Sequence, residues 1–275
     1  MEEKTSLDRY LSPLDVWAMA FGCAVGWGAF VMPGTTFLPV AGPTGTVISM
    51  FVGMVVMLVI GVCFNYLMRR STLTGGVYTY IKETFGRDHA FLCSWFLCLS
   101  YLTIVFLNGS ALFFVIRTLM GGDLSVGVYY TVGTSRISLA EVLVSAGAIV
   151  AIGVLYVVAK PVLQRLHTIL AILLFAGILV ISVACLPALS AHDLLASFGT
   201  QDHDALHAIS SLVILMPWAF VGFEVVSFDT AHFRFPPKRT ARIVIVAIVT
   251  TALGYTLMAL VSITALFSVN SANRP

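Results

Sequence analysis

The sequence predicts an all-α integral membrane protein of about seven transmembrane helices, with helices 1 and 6 broken near mid-membrane. Three observations carry that prediction. Hydrophobic residues make up 59% of the 275 and charged residues only 10%, whereas an average globular chain carries roughly 25% charged residues. The apolar residues collect into runs long enough to cross about 30 Å of hydrocarbon at 1.5 Å per residue. Two of those runs, five spans apart, hold glycine and proline at their centres.

Composition also excludes several function classes. The formal net charge is +2 and no basic patch is interleaved with aromatics, so nucleic acid is not an expected partner. Cys23, Cys63, Cys93, Cys98 and Cys185 lie in or beside apolar segments without paired spacing. That argues for small buried hydrophobes rather than a disulfide framework or a zinc site. No cofactor and no resident metal are implied. The N-terminus carries Glu2, Glu3, Lys4, Asp8 and Arg9 with no small-residue cleavage site, so the first span reads as retained rather than as a signal peptide.

The spans fall at Leu14–Val40, Thr46–Met68, Phe91–Met120, Leu139–Ala159, Leu166–Leu189, Ile209–Thr230 and Ile243–Phe267. Each reads as helix, because a helix satisfies its backbone groups internally and hydrocarbon offers no other partner. With the N-terminus inside, the cytoplasmic segments hold Lys4, Arg9, Arg69, Arg70, Lys82, Arg87, Lys160, Arg165, Arg234, Lys238, Arg239 and Arg242. The outside receives Arg117, Arg136 and Arg274. Twelve basic residues against three sets the orientation by the positive-inside rule. The expected organisation is a cytoplasmic N-terminus (1–13), a first five-helix repeat (14–189), an extracellular loop (190–208) and the first two helices of an incomplete second repeat (209–275). The outer loop holds Asp193, Asp202 and Asp204, and also His203 and His207 four residues apart. Without a third ligand that pair reads as a solvated loop rather than a metal site.

The first span does not read as one continuous helix. Its centre runs Gly26-Trp27-Gly28-Ala29-Phe30 and then Pro33-Gly34. Glycine costs about 1 kcal/mol in a helix interior and proline about 3, and proline deletes a backbone hydrogen bond. An unwound stretch at Gly26–Phe30 between two half-helices is one reading, since irregular backbone survives at membrane depth where it is buried or lines a cavity. A kink with close helix packing is the other. The sixth span is interrupted in the same way by Pro217-Trp218-Ala219-Phe220-Val221-Gly222-Phe223-Glu224. Glu224 is the only acid well inside a span, where an ionised carboxylate needs a partner or water. A structural or gating role suits it better than substrate contact.

The two interruptions occupy equivalent positions if a five-helix repeat is used twice. An odd number of helices inverts the second copy. Matched interruptions of this kind point to a transporter's midplane binding site. Backbone N–H groups at a half-helix N-terminus can hold a carboxylate, and freed carbonyls can accept from an ammonium group. An amino acid presents both charges.

These residues resemble the amino acid–polyamine–organocation superfamily of permeases, which has the LeuT-like fold. Three places carry the resemblance. They are Val25-Gly26-Trp27-Gly28-Ala29-Phe30 with Pro33-Gly34 and Ala41-Gly42-Pro43; Gly75-Gly76-Val77-Tyr78-Thr79-Tyr80 with Gly86 and Trp95; and Phe220-Val221-Gly222-Phe223-Glu224 with Pro236 and Lys238. The resemblance implies that Gly26, Trp27 and Gly28 face a substrate carboxylate through their backbone N–H groups. It implies that Trp218, Phe220 and Val221 line or gate the pocket, and that Cys98, Tyr101 and Leu102 of helix three lie near it. The expected function is secondary active transport or exchange of amino acids or related amines across the plasma membrane. The partners are then a small-molecule substrate and the lipid bilayer, with a homo-oligomer or a completing chain left open.

Departures from the family pattern are specific. Ala231-His232-Phe233-Arg234-Phe235-Pro236 replaces the usual acid before an Asn-Pro pair. Ala171 stands where some proton-coupled relatives hold a lysine. The fold requires ten core helices and the sequence gives seven, so a truncated form is expected. A non-transporting relic or partner subunit is the alternative. A seven-span receptor is the rival on helix count alone, but such receptors place the N-terminus outside. A membrane enzyme lacks support: no Gly-x-Ser-x-Gly elbow or phosphate loop occurs. Glu224 and Asp229, five residues apart, lie on different faces of a helix.

If Gly26 exposes backbone to substrate, Gly26→Leu in an extended gene product abolishes amino acid binding. A well-folded Gly26→Leu protein that keeps parental affinity would sink that assignment.

Overall fold

The computed structural model describes residues 9–70, 75–119, 128–132, 135–188 and 205–272. The elements are α1 (Pro13–Ala24), α2 (Gly28–Met32), a π turn (Pro33–Phe37), α3 (Leu38–Arg70), α4 (Val77–Phe85), α5 (Arg87–Leu119), β1 (Tyr129–Val132), β2 (Ser135–Ser138), α6 (Leu139–Val158) and α7 (Lys160–Cys185), which ends in a 3-10 turn (Leu186–Ala188). Beyond it come α8 (Ala205–Ala219), a 3-10 helix (Phe223–His232), a 3-10 turn (Pro237–Arg239) and α9 (Thr240–Ala272). The chain divides into two compact units, one of residues 1–80 with 165–275 and one of residues 81–164.

In the first unit, α1 begins with a complete capping box. Ser12 Oγ accepts from the Asp15 N–H at 3.3 Å, and the Asp15 carboxylate accepts from the Ser12 N–H at 2.9 Å. Pro13 occupies the first helical position, where its missing N–H leaves nothing unsatisfied. The helix closes at Val25, whose N–H donates to the Phe21 carbonyl at 2.7 Å. The expected unwinding over Gly26–Phe30 is shorter than the composition suggests. Helical geometry resumes at Gly28, and Pro33-Gly34 is absorbed into the π turn rather than breaking the chain again.

Among the described residues, six helices are long and apolar enough to cross a membrane, and one apolar stretch, Gly28–Arg70, runs to 43 residues. A straight helix of that length would span about 65 Å, twice the hydrocarbon thickness. It is two passes. Gly42 adopts φ 66 and ψ −179 just before Pro43, a turn that a β-carbon would oppose. Contacts along α9 give the direction of travel. The Trp17 indole N–H donates to Thr250 Oγ1 at 3.1 Å, Gly28 lies beside Tyr255 and Gly34 beside Ser262. By Gly61 the chain has returned to Val244 and Ile248. The outward and return passes therefore pack on one common helix, in keeping with about seven spans.

Helix α8 lies along α3 in the same direction, with Ser49 Oγ donating to the Ile209 carbonyl at 3.2 Å and Gly53 fitted under Met216. Phe21, Phe37, Met50, Met216, Phe220 and Tyr255 are fully buried between these elements. In the second unit α5 packs on α6, where Ser145 Oγ donates to the Gly109 carbonyl at 2.8 Å. Helix α6 is apolar on all sides and buries none of its residues in protein, the pattern of a membrane helix rather than of a water-facing amphipathic one. Strands β1 and β2 pair antiparallel, Tyr129 opposite Ser138, in a segment that hydropathy reads only as loop. The outer-loop residues Asp193, Asp202, His203 and Asp204 lie outside the described residues.

A β-carbon on Gly53 would collide with the Cβ of Met216, and overpacking of this kind costs about 1–3 kcal/mol. Gly53→Ala is therefore expected to lower Tm in detergent. Phe51→Leu, at a position 60% exposed two residues away, leaves Tm unchanged.

Candidate functional site

Both interruptions lie in the first unit, and the structure brings them into contact. On the first, α1 stops at Ala24. The chain then turns through Val25, Gly26 and Trp27 before Ala29 and Phe30 donate to the carbonyls of Gly26 and Trp27, each at 3.1 Å. The last carbonyls of α1 thus end beside the first turn of α2. A helix's C-terminal carbonyls carry partial negative charge and its N-terminal N–H groups partial positive charge.

On the second, α8 ends at Ala219 in a tightened turn, with Phe220 donating to the Pro217 carbonyl at 3.1 Å and Val221 to the Trp218 carbonyl at 3.3 Å. Gly222 then reverses the backbone at φ 116. Its N–H donates to Glu224 Oε2 at 2.8 Å, so this carboxylate acts as a cap at the start of the 3-10 segment that follows. Glycine at 222 is required twice over. Positive φ disfavours any β-carbon, and one placed there would sit 2.7 Å from Cys23 Cβ and 2.8 Å from the Cys23 carbonyl carbon.

Trp218 joins the two breaks on their other side. Its Cη2 lies 2.8 Å from the point a β-carbon on Gly28 would occupy, and its side chain is 44% exposed. Tyr255 of α9 converges on the same point, with its hydroxyl 3.4 Å away, and that hydroxyl donates to the Ala24 carbonyl at 3.4 Å. Tyr255 was not singled out by the sequence. The signal available was a single polar-tipped aromatic at the centre of the last span, where a buried hydroxyl needs a partner.

The other candidates divide. Gly26, Trp27, Gly28 and Val221 are half-buried, whereas Phe220 is 1% exposed and belongs to the apolar core. Cys98, Tyr101 and Leu102 sit on α5 in the second unit, Tyr101 half-buried and the other two exposed. On α7, Ala171 faces Gly22 of α1 together with the His167 imidazole, whose Nε2 is 2.7 Å from a β-carbon position on that glycine. Thr168 Oγ1 donates to Asp15 Oδ1 at 2.7 Å. Among the described residues, no three His, Cys, Asp or Glu side chains gather as a metal site would require.

Chemically, the arrangement offers opposed backbone dipoles, an aromatic face and a hydroxyl. Comparison with known proteins bears on what such a site serves. The profile of the family described as amino acid permease matches residues 11–273. The chain is 35% identical over 99 residues to cationic amino acid transporter 4 of Mus musculus, covering 36% of this chain and 15% of that protein. It is 34% identical over 97 residues to the methylthioribose transporter of Bacillus subtilis, covering 35% of this chain and 21% of that one. The branched-chain amino acid permease BcaP of the same organism is 33% identical over 100 residues, covering 36% of this chain and 21% of the permease. The matched part thus spans less than a quarter of each of these relatives.

The contact between the breaks has a direct consequence for stability. Gly222→Ala combines backbone strain with a clash against the Cys23 carbonyl, and is expected to destabilise by about 2–4 kcal/mol. Glu224→Gln keeps an acceptor for the Gly222 N–H and should cost far less than Glu224→Ala. Thermal unfolding of the three variants in detergent measures both differences.

Proposed function

The chain belongs to the amino acid permease family, and from that membership we propose that it forms the substrate-binding part of a secondary active transporter or exchanger of amino acids or related amines. In this reading it is a multi-pass protein of the plasma membrane with its N-terminus in the cytoplasm. The work is carriage rather than catalysis, with the substrate leaving as it arrived.

One observation carries the reading: the two broken helices meet, Gly222 against the Cys23 backbone and Trp218 against Gly28. A substrate carboxylate is held by the backbone N–H groups of Gly26, Trp27 and Gly28 at the positive end of α2. Its ammonium group is held by carbonyls at the negative end of α1. Trp218 closes over the substrate's side chain, and Tyr255 keeps the Ala24 carbonyl in place. Phe220, deep in the core, supports the break instead of touching substrate, and Val221 borders it. Cys98 and Tyr101 rest on resemblance alone. The names of the similar proteins include cationic and branched-chain amino acids and a thioether sugar, methylthioribose. A site built from backbone dipoles favours the zwitterions among these.

Reconstitution in proteoliposomes tests the proposal, with counterflow of labelled neutral and cationic amino acids and methylthioribose as the non-zwitterionic control. Saturable amino acid flux is expected, with Trp218→Ala raising the apparent KM about tenfold, the effect of one lost aromatic contact. Tyr255→Phe, which removes one hydroxyl, raises it about threefold. Gly28→Ala displaces the Trp218 ring and weakens binding, and Trp218→Leu in the same chain restores part of it. Flux of methylthioribose alone, or amino acid binding untouched by all these substitutions, overturns the assignment of the site.

A further inference from the structure

Where α3 stops and α9 begins, the first unit gathers positive charge. Arg69 and Arg70 close α3, Lys238 and Arg239 sit in the 3-10 turn that packs against it, and Arg242 lies in the first turn of α9. All five are exposed, and among the described residues none is ion-paired. The sequence carries no Asp or Glu from position 51 to 82 or from 230 to 275. Asp229, the acid nearest the turn in sequence, faces His232 at 3.2 Å. Like charges held together in this way repel one another unless an anion joins them.

The cations stand at the head of an apolar groove. Gly61 of α3 faces Val244 and Ile248 of α9, and Asn65, one turn on, is buried as well. One residue past this contact line come Val62 and Tyr66 on α3, and Ile245 and Val249 on α9. A step of one residue turns a helix by about 100°, and in an antiparallel pair it turns both helices toward the same side. All four side chains are exposed, as are Val55 and Val59 further along the same stripe of α3. Arg69 continues that stripe three residues beyond Tyr66, and Arg242 precedes Ile245 by the same interval. Tyr66 marks the polar end, its hydroxyl accepting from Arg70 Nη1 at 3.5 Å. From Val55 to Tyr66 the helix rises about 16 Å, half the thickness of the hydrocarbon core.

We propose that this groove is a binding site for one phospholipid with an anionic headgroup. The phosphate sits among Arg69, Lys238 and Arg242, and an acyl chain lies along Val55, Val59 and Val62 of α3 opposite Ile245 and Val249 of α9. The ligand has to be ionic at one end and hydrocarbon for the depth of one leaflet, because the groove is. A free anion would leave the apolar stripe uncovered, and a neutral lipid would leave the cations unscreened. Bound there, the lipid clamps α3 to α9, the helix that brings Tyr255 to the Ala24 carbonyl and Thr250 to Trp17. The site does not depend on the transport reading.

The test uses the full chain in detergent, titrated with dioleoyl phosphatidylglycerol while Tm is followed and bound lipid is counted by native mass spectrometry. Dioleoyl phosphatidylcholine supplies the same chains without net charge, and glycerol phosphate supplies the headgroup without chains. A saturable rise in Tm with one retained lipid is expected for phosphatidylglycerol alone, since a ligand of the folded state raises its stability. Arg69→Gln, Lys238→Gln and Arg242→Gln each raise the half-saturating concentration about fivefold, the effect of one cation near an anionic headgroup. Arg165→Gln, at an exposed position of α7 outside the groove, removes the same charge and leaves that concentration unchanged. Equal effects of phosphatidylcholine overturn the proposal, as does weakening by Arg165→Gln as large as by the other three. A Tm rise of the same size with glycerol phosphate reduces the site to a simple anion site and overturns the lipid assignment.

Discussion

Inside a bilayer every backbone N–H and C=O must find its partner within the protein, because hydrocarbon supplies none. The two interruptions, at residues 25–27 and 220–222, both violate the helical ladder that normally meets this demand. Each is repaired by something specific. Val25 donates back to Phe21, Tyr255 reaches the Ala24 carbonyl, and Glu224 accepts from the Gly222 N–H. The remaining relief comes from pressing one break against the other, which needs a residue without a side chain at position 222. The packing of α3, α8 and α9 around the pair follows from having to keep these repairs dry.

Much of this was legible in the sequence because the bilayer simplifies the physics. Long apolar runs mark helices whatever their partners, and glycine with proline inside such a run marks a break. Seven spans and both interruptions therefore follow from residue order alone. The unwound length did not. Gly28, Ala29 and Phe30 resume a helix because two short-range bonds close behind the turn, and no composition rule weighs those bonds against the cost of glycine. The π turn at Pro33–Phe37 is a similar case, in which the proline is accommodated by widening the helix.

Tertiary convergence was the other gap. Trp218 is visible in the sequence as an aromatic beside a break, but its meeting with Gly28 depends on how α8 lies against the first pass. Tyr255, more than two hundred residues from Ala24, has no local signature at all. Glu224 accepts from its own backbone two residues back, a local bond that residue order does not show.

Helix α9 bears on the order in which the fold can be assembled. It packs against α1, α2, the π turn and α3, yet it is synthesised after all of them. While the nascent chain is being threaded into the membrane, the first two passes wait beside each other with Ala24 unserved by Tyr255 and Trp17 unserved by Thr250. Biogenesis therefore passes through a stage in which the least helical part of the molecule is exposed to lipid or to the insertion machinery. Completion of α9 is the event that makes the interruption safe.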